Sequence, residues 1–272
     1  MTAALRAAKL GVIAGGGALP GLLVSACRSA GRDHYVLGLT GFADNAALPR
    51  PADAWIKLGE VGKGFDLLRG AGVSEVVMAG AVQRPKFSEL ITDFKGAAML
   101  ARIAGRAALG DDSLLSALVG EIESEGFRVV GADSILFELL APFGVMGRHS
   151  PVSFADDIAA GFQAAKTHGA ADIGQAVIVK DGRIVAVEDK DGTDAMLSRA
   201  QGGVLVKVKK PQQERRVDLP TVGPVTVKNA IAAGLSGIAI EAGHTFMLDR
   251  VRMIAMADDA GLFIVGVADG KF

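Results

Sequence analysis

Cysteine is almost absent from this 272-residue chain, where Cys27 stands alone. A single thiol excludes an internal disulfide and any multi-cysteine metal centre, and it fits a reducing compartment. Aromatics are scarce as well. Twelve Phe, one Trp and one Tyr against 36 Gly point to a core of Val, Ile, Leu and Ala broken by many tight turns. Neither sign of charge dominates: 29 basic and 30 acidic residues leave a net charge of -1, which argues against non-specific nucleic-acid binding, so no nucleic-acid partner is expected. No charge-free apolar run approaches the ~20 residues of a membrane span, and no basic segment leads into an apolar stretch with a small-residue cleavage site. A cytoplasmic location is expected. The four histidines, His34, His149, His168 and His244, show no spacing for a zinc site or a nucleophilic triad, and there is no Gly-x-Ser-x-Gly elbow or Walker loop.

What the chain has is apolar residues, 50% of the total, and a mean hydropathy of +0.36. That surplus is enough for a sizeable core and leaves apolar surface for a subunit interface, hence a homodimer, or for a lipid-like ligand. The first half alternates short β-branched runs with amphipathic stretches, the pattern of an α/β fold. Residues 1–140 are read as a Rossmann-like N-terminal domain with a mostly parallel sheet. Two prolines and two glycines interrupt both periods over Ala141–Pro151, which is read as a linker. Residues 152–272 are read as a C-terminal α/β domain with a mixed sheet, because Asp181-Gly182 between two apolar runs signals a hairpin.

Several segments carry residue types suited to anion chemistry. Val12-Ile13-Ala14-Gly15-Gly16-Gly17-Ala18 reads as a strand, a glycine turn and a helix start, where backbone N–H groups can meet phosphate oxygens. A structural tight turn competes with that reading. A nicotinamide-binding fold is disfavoured, since the glycine spacing is irregular and the second strand ends Leu37-Gly38-Leu39-Thr40 without the acid that holds a ribose diol. Gly80-Ala81-Val82-Gln83-Arg84-Pro85-Lys86 follows the fourth predicted strand, so both glycine loops fall at strand C-terminal ends. Arg84 and Lys86 could neutralise phosphate or simply face solvent. Asp111 and Asp112, before Ser113, offer one carboxylate for a helix cap and one for a hard cation such as Mg²⁺.

In the second half, Lys207, Lys209, Lys210, Arg215 and Arg216 fall within ten residues. The two-residue strand period puts Lys207 and Lys209 on one face, and for the lysines alone a solvated edge strand is the favoured reading. Arg215 and Arg216, leading into Asp218-Leu219-Pro220-Thr221-Val222-Gly223, raise the case for an anion-binding loop. Pro224 begins a helix whose next residue, Val225, stands where a first turn favours an acid.

Together, the Gly15–Gly17 turn, Gly80–Pro85, Gly110-Asp111-Asp112-Ser113, Gly192-Thr193-Asp194, Lys207–Gly223 and Ile240-Glu241-Ala242-Gly243 resemble the UDP-2,3-diacylglucosamine pyrophosphatases of the LpxI type, from lipid A biosynthesis. The resemblance implies hydrolysis of a UDP-sugar diphosphate to UMP and lipid X, a Mg²⁺ or other divalent-metal requirement, and two domains with the substrate between them. It implies peripheral contact with the inner membrane through the lipid substrate. Roles in catalysis are implied for Lys207, Asp194, Asp218 and position 225, where the family pattern has an acid and this chain has valine. Metal contact is implied for Asp111, Asp112 and Asp194. Substrate contact is implied for Ala14, Gly15, Gly16, Gly17, Gly80, Ala81, Gln83, Arg84, Lys86, Asp111, Ser113 and Arg148. The same holds for Gly192, Thr193, Lys210, Arg215, Thr221 and Glu241. The departure at Val225 leaves open a chain that binds substrate without turning it over.

Overall fold

The computed structural model describes residues 7–83, 92–107 and 111–272, and for 104–107 and 111 the backbone alone. Arg84 and Lys86 lie outside the described residues. Two compact units form: one takes the chain up to Phe137 together with Glu214–Val217, the other Glu138–Gln213 with Asp218–Phe272.

In the first unit β1 (Leu10–Ala14), β2 (His34–Leu39), β3 (Ala54–Ile56), β4 (Glu75–Ala79) and β5 (Arg128–Val129) build a sheet of order β3-β2-β1-β4-β5. Every neighbouring pair is parallel. Strands covered on both faces read as continuous apolar runs, and in β1 Leu10, Val12 and Ala14 are fully buried on one face while Gly11 is buried and Ile13 half-buried on the other. Helices α1 (Leu19–Ser29), α2 (Val61–Gly70), α3 (Phe94–Ala107) and α4 (Asp111–Ser124) connect them. One cluster joins Leu37, Ile56, Phe65, Leu68, Val76 and Val129, another Ala14, Val24 and Val36. The strand order reverses between β1 and β4, the position where open α/β sheets take ligands. Asp111 and Asp112 lie within α4, which is described from Asp111 onward.

The second unit contains β6 (Gly144–Met146), α5 (Ala155–Ala170), β7 (Ala176–Lys180), β8 (Arg183–Val187), α6 (Gly192–Arg199), β9 (Val204–Lys207), β10 (Thr221–Val222), α7 (Pro224–Ala232), β11 (Gly237–Glu241), β12 (Phe246–Met247), α8 (Arg250–Asp259) and β13 (Phe263–Val267). Its main sheet has the order β6-β13-β11-β9-β7-β8, with β10 and β12 paired separately. β9, β11 and β13 are parallel, while β6 and β7 run antiparallel to their neighbours. The hairpin expected at Asp181-Gly182 joins β7 to β8, and both residues have positive φ, as a primed two-residue turn requires.

The lysine-bearing strand corrects an expectation. β9 is central, flanked by β11 and β7, so Lys207 is not an edge lysine. β9 also ends at Lys207, which leaves Lys209 in the following loop. Val204 and Val206 join the cluster formed with Ile158, Phe162 and Ala165 of α5. Leu205 joins Met196 of α6, Val227 of α7 and Met253 of α8 on the other face. By alternation Lys207 follows Leu205 onto the α6–α8 face.

Candidate functional site

Lys207 ends β9 with only 7% of its surface exposed. Its Nζ donates to Thr193 Oγ1 at 2.9 Å and to the Thr221 carbonyl at 3.3 Å. Thr193 lies in the first turn of α6, whose opening residue, Gly192, has φ +85°. The Thr193 hydroxyl donates onward to Glu188 Oε1 at 2.6 Å, and Glu188 Oε2 accepts the Gln175 backbone N–H at 3.0 Å. Burial pushes the Lys207 ammonium below the ordinary lysine range, and the charges of Glu188, Asp194 and Asp218 pull it back up. The result is a desolvated cation held among three acids at the C-terminal end of a parallel strand.

Asp194, one residue beyond Thr193, is exposed, and its Oδ1 accepts from Asn229 Nδ2 at 2.8 Å. Asn229 and Val225 stand four apart on α7 and therefore share a face. Val225, the second residue of α7, is 61% exposed, an apolar side chain where the helix end would welcome a carboxylate. Thr221, whose carbonyl meets Lys207, opens β10, and only Val222 and Gly223 separate it from this helix start. Lys207, Thr193, Asp194, Thr221 and position 225 are thus tied together through α6, α7 and the end of β9. Asp218 accepts a hydrogen bond from the buried Gln213 side chain, which also receives the Lys210 backbone N–H on its Oε1.

Glu241 is placed differently. It ends β11 and is buried, with both carboxylate oxygens 2.7 Å from Lys166 Nζ and Oε2 accepting the Lys209 backbone N–H at 2.7 Å. That arrangement clamps the turn after β9. Lys210 Nζ pairs with Asp172. Arg148 lies beyond the N-terminal end of β13, where its backbone N–H donates to Asp258 Oδ1 at 2.6 Å, so the sheet keeps it at the edge opposite Lys207.

In the first unit the two glycine loops bind each other. Gly15 N–H donates to the Ala79 carbonyl at 2.8 Å, and Gly16 and Ala81 exchange two bonds of 2.9 Å. A Cβ at Gly80 would stand 2.5 Å from the Gly16 carbonyl oxygen. Two of the three triplet amides that the sequence offers to phosphate therefore already have carbonyl acceptors. Gly17, with φ +86° and no atom within 4 Å of where a Cβ would stand, faces open space. Gln83 is exposed, Ser113 half-buried and Asp112 buried. Arg215 belongs to this unit, with Nε 2.6 Å from Asp133 Oδ2. Among the described residues no group of three or more His, Cys, Asp or Glu side chains is placed to hold a metal ion by itself.

Sequence reasoning misses Glu188, Asn229, Gln213 and Lys166. Glu188 leaves one trace, an acid at the end of a predicted hairpin strand four residues before Gly192. The other three are common polar residues within helices or a loop, and only the fold gives them partners.

Family models for the LpxI N-terminal domain and the LpxI C-terminal domain match residues 9–139 and 142–265. The UDP-2,3-diacylglucosamine pyrophosphatase LpxI of Caulobacter vibrioides (strain ATCC 19089 / CIP 103742 / CB 15) is 44% identical over 273 residues, spanning 95% of this chain and 97% of that protein.

Proposed function

The chain belongs to the LpxI family, and on that premise we propose that it binds UDP-2,3-diacylglucosamine and hydrolyses the diphosphate to UMP and lipid X. The observation that carries the reading within the molecule is the buried Lys207, a cation fixed on Thr193 and the Thr221 carbonyl. It would hold a phosphoryl oxygen and stabilise charge that develops as the anhydride breaks, an interaction strengthened by desolvation. A divalent cation such as Mg²⁺ takes one or two carboxylates together with substrate phosphate oxygens and water. Asp194 is the exposed carboxylate of this group and would contribute the protein's oxygen to it. Such an ion supplies neutralisation of phosphate charge and orientation of water. The acyl chains of the substrate would bring the protein to the inner-membrane surface from the cytoplasm, and its surplus apolar surface is available for a homodimer.

Val225 favours a second reading in which this chain binds the substrate but turns it over slowly. The position is exposed at the start of α7 and carries no group able to accept a proton or orient water. Incubation with UDP-2,3-diacylglucosamine and Mg²⁺, followed by analysis of free and bound small molecules, separates the two. UMP with lipid X supports hydrolysis, intact retained substrate supports the binder, and no interaction overturns both. Val225→Asp is expected to raise UMP release on the order of 10²-fold, the scale of a well-placed proton acceptor. An unchanged rate in a folded variant would take position 225 out of the reaction.

A further inference from the structure

Glu188 is buried, 7% exposed, yet it lies one residue past the end of β8 and touches none of the positions that the sequence marks for chemistry except Thr193. Its two oxygens are both engaged. One takes the Thr193 hydroxyl proton, which turns the Thr193 lone pairs toward Lys207, and the other takes the Gln175 backbone N–H. Gln175 in turn accepts the Val208 N–H on its carbonyl, so the same residue anchors the backbone just after Lys207. A carboxylate in this place has a cost in desolvation that an amide or an apolar side chain would avoid. Among the described residues Lys207 has two acceptors for its three ammonium protons, which leaves one N–H for an anion.

We infer that Glu188 is a positioning residue: acting through Thr193, it fixes the Lys207 ammonium so that the remaining N–H is presented to a phosphoryl oxygen of the substrate. The inference deepens the proposed function and rests on it. Glutamine at 188 would offer one acceptor and one donor in place of two acceptors, so either Thr193 or the Gln175 N–H would lose its partner.

The test is a double-mutant cycle on the affinity of the full chain for UDP-2,3-diacylglucosamine. Glu188→Gln and Lys207→Met are each expected to weaken binding roughly ten-fold, and the double variant no more than Lys207→Met alone. Thr193→Ser, which keeps the hydroxyl bridge, is expected to lose less affinity than Thr193→Val, and Thr193→Val to lose as much as Glu188→Gln. Thermal unfolding of each variant identifies one that has failed to fold, and the Thr193 pair then carries the test. Additive losses at 188 and 207, or equal losses for Ser and Val at 193, would overturn the inference and leave the proposed function standing. A wild-type chain that does not bind the substrate removes the proposed function and the inference with it.

Discussion

At the level of single residues, the energetics of Lys207 set a pH dependence whose sign follows from its environment. Burial lowers its proton affinity in the folded chain relative to the unfolded one. Between that lowered value and the ordinary 10.5, the unfolded state binds more protons than the folded state, so stability contributed at this position rises with pH through that window. Below it both states are protonated and the full cost of the buried charge is felt. Lys207→Met removes the titration. Urea unfolding at neutral and alkaline pH is expected to show the wild type gaining on Lys207→Met as pH approaches 10.5, and parallel pH trends would refute the burial argument. Val225 works in the opposite direction. It avoids a charge at the head of α7 and so gives up the stabilisation of about 0.3–1 kcal/mol that an acid there would supply. The gain in UMP release expected for Val225→Asp should therefore come without loss of stability.

Among the elements, the glycine loops show how a motif can be legible while its partners are not. A strand, a turn and a helix start are readable at Gly15–Gly17, and a second turn at Gly80, because glycine marks backbone that other residues avoid. That the two turns hydrogen-bond each other depends on β1 and β4 being neighbours, which is a property of strand order and not of either segment. The same reason explains β9. Two lysines on alternating positions read as an edge, yet the crossovers place that strand between β11 and β7. The short β6, β10 and β12, of two or three residues each, carry too little periodicity to be seen at all. Loop contact makes the two glycines unequal. Gly80→Ala meets both a positive φ of +94° and a carbonyl oxygen at 2.5 Å, whereas Gly17→Ala meets only its φ of +86°. Gly17→Ala should cost about 1 kcal/mol and Gly80→Ala roughly 2–4 kcal/mol, measured by denaturant midpoint. Equal costs would mean that the loops do not hold each other in solution.

Across the whole molecule, the path of the chain is less simple than its two halves suggest. Composition and alternation are good grounds for two α/β regions in succession, and no periodicity announces that Glu214–Val217 returns to the first unit. What returns them is a set of side chains: Val217 packs on the cluster of Leu37, Phe65 and Val76, Arg216 Nη1 lies 2.8 Å from Glu123, and Arg215 Nε 2.6 Å from Asp133. In the sequence these arginines look like part of one basic run with Lys207, but the fold divides that run, giving the lysines to one unit and the arginines to the other. A substitution at Val217 should consequently be felt far away in sequence. Val217→Ala removes two methyl groups from a partly buried contact, worth about 1 kcal/mol. Amide exchange should then speed up in β2 and β4 by about five-fold, since local opening there draws on the same cluster, while β11 and β13 keep their protection. Faster exchange confined to β11 and β13 would assign these four residues to the second unit instead, and the apparent basic run would regain its unity.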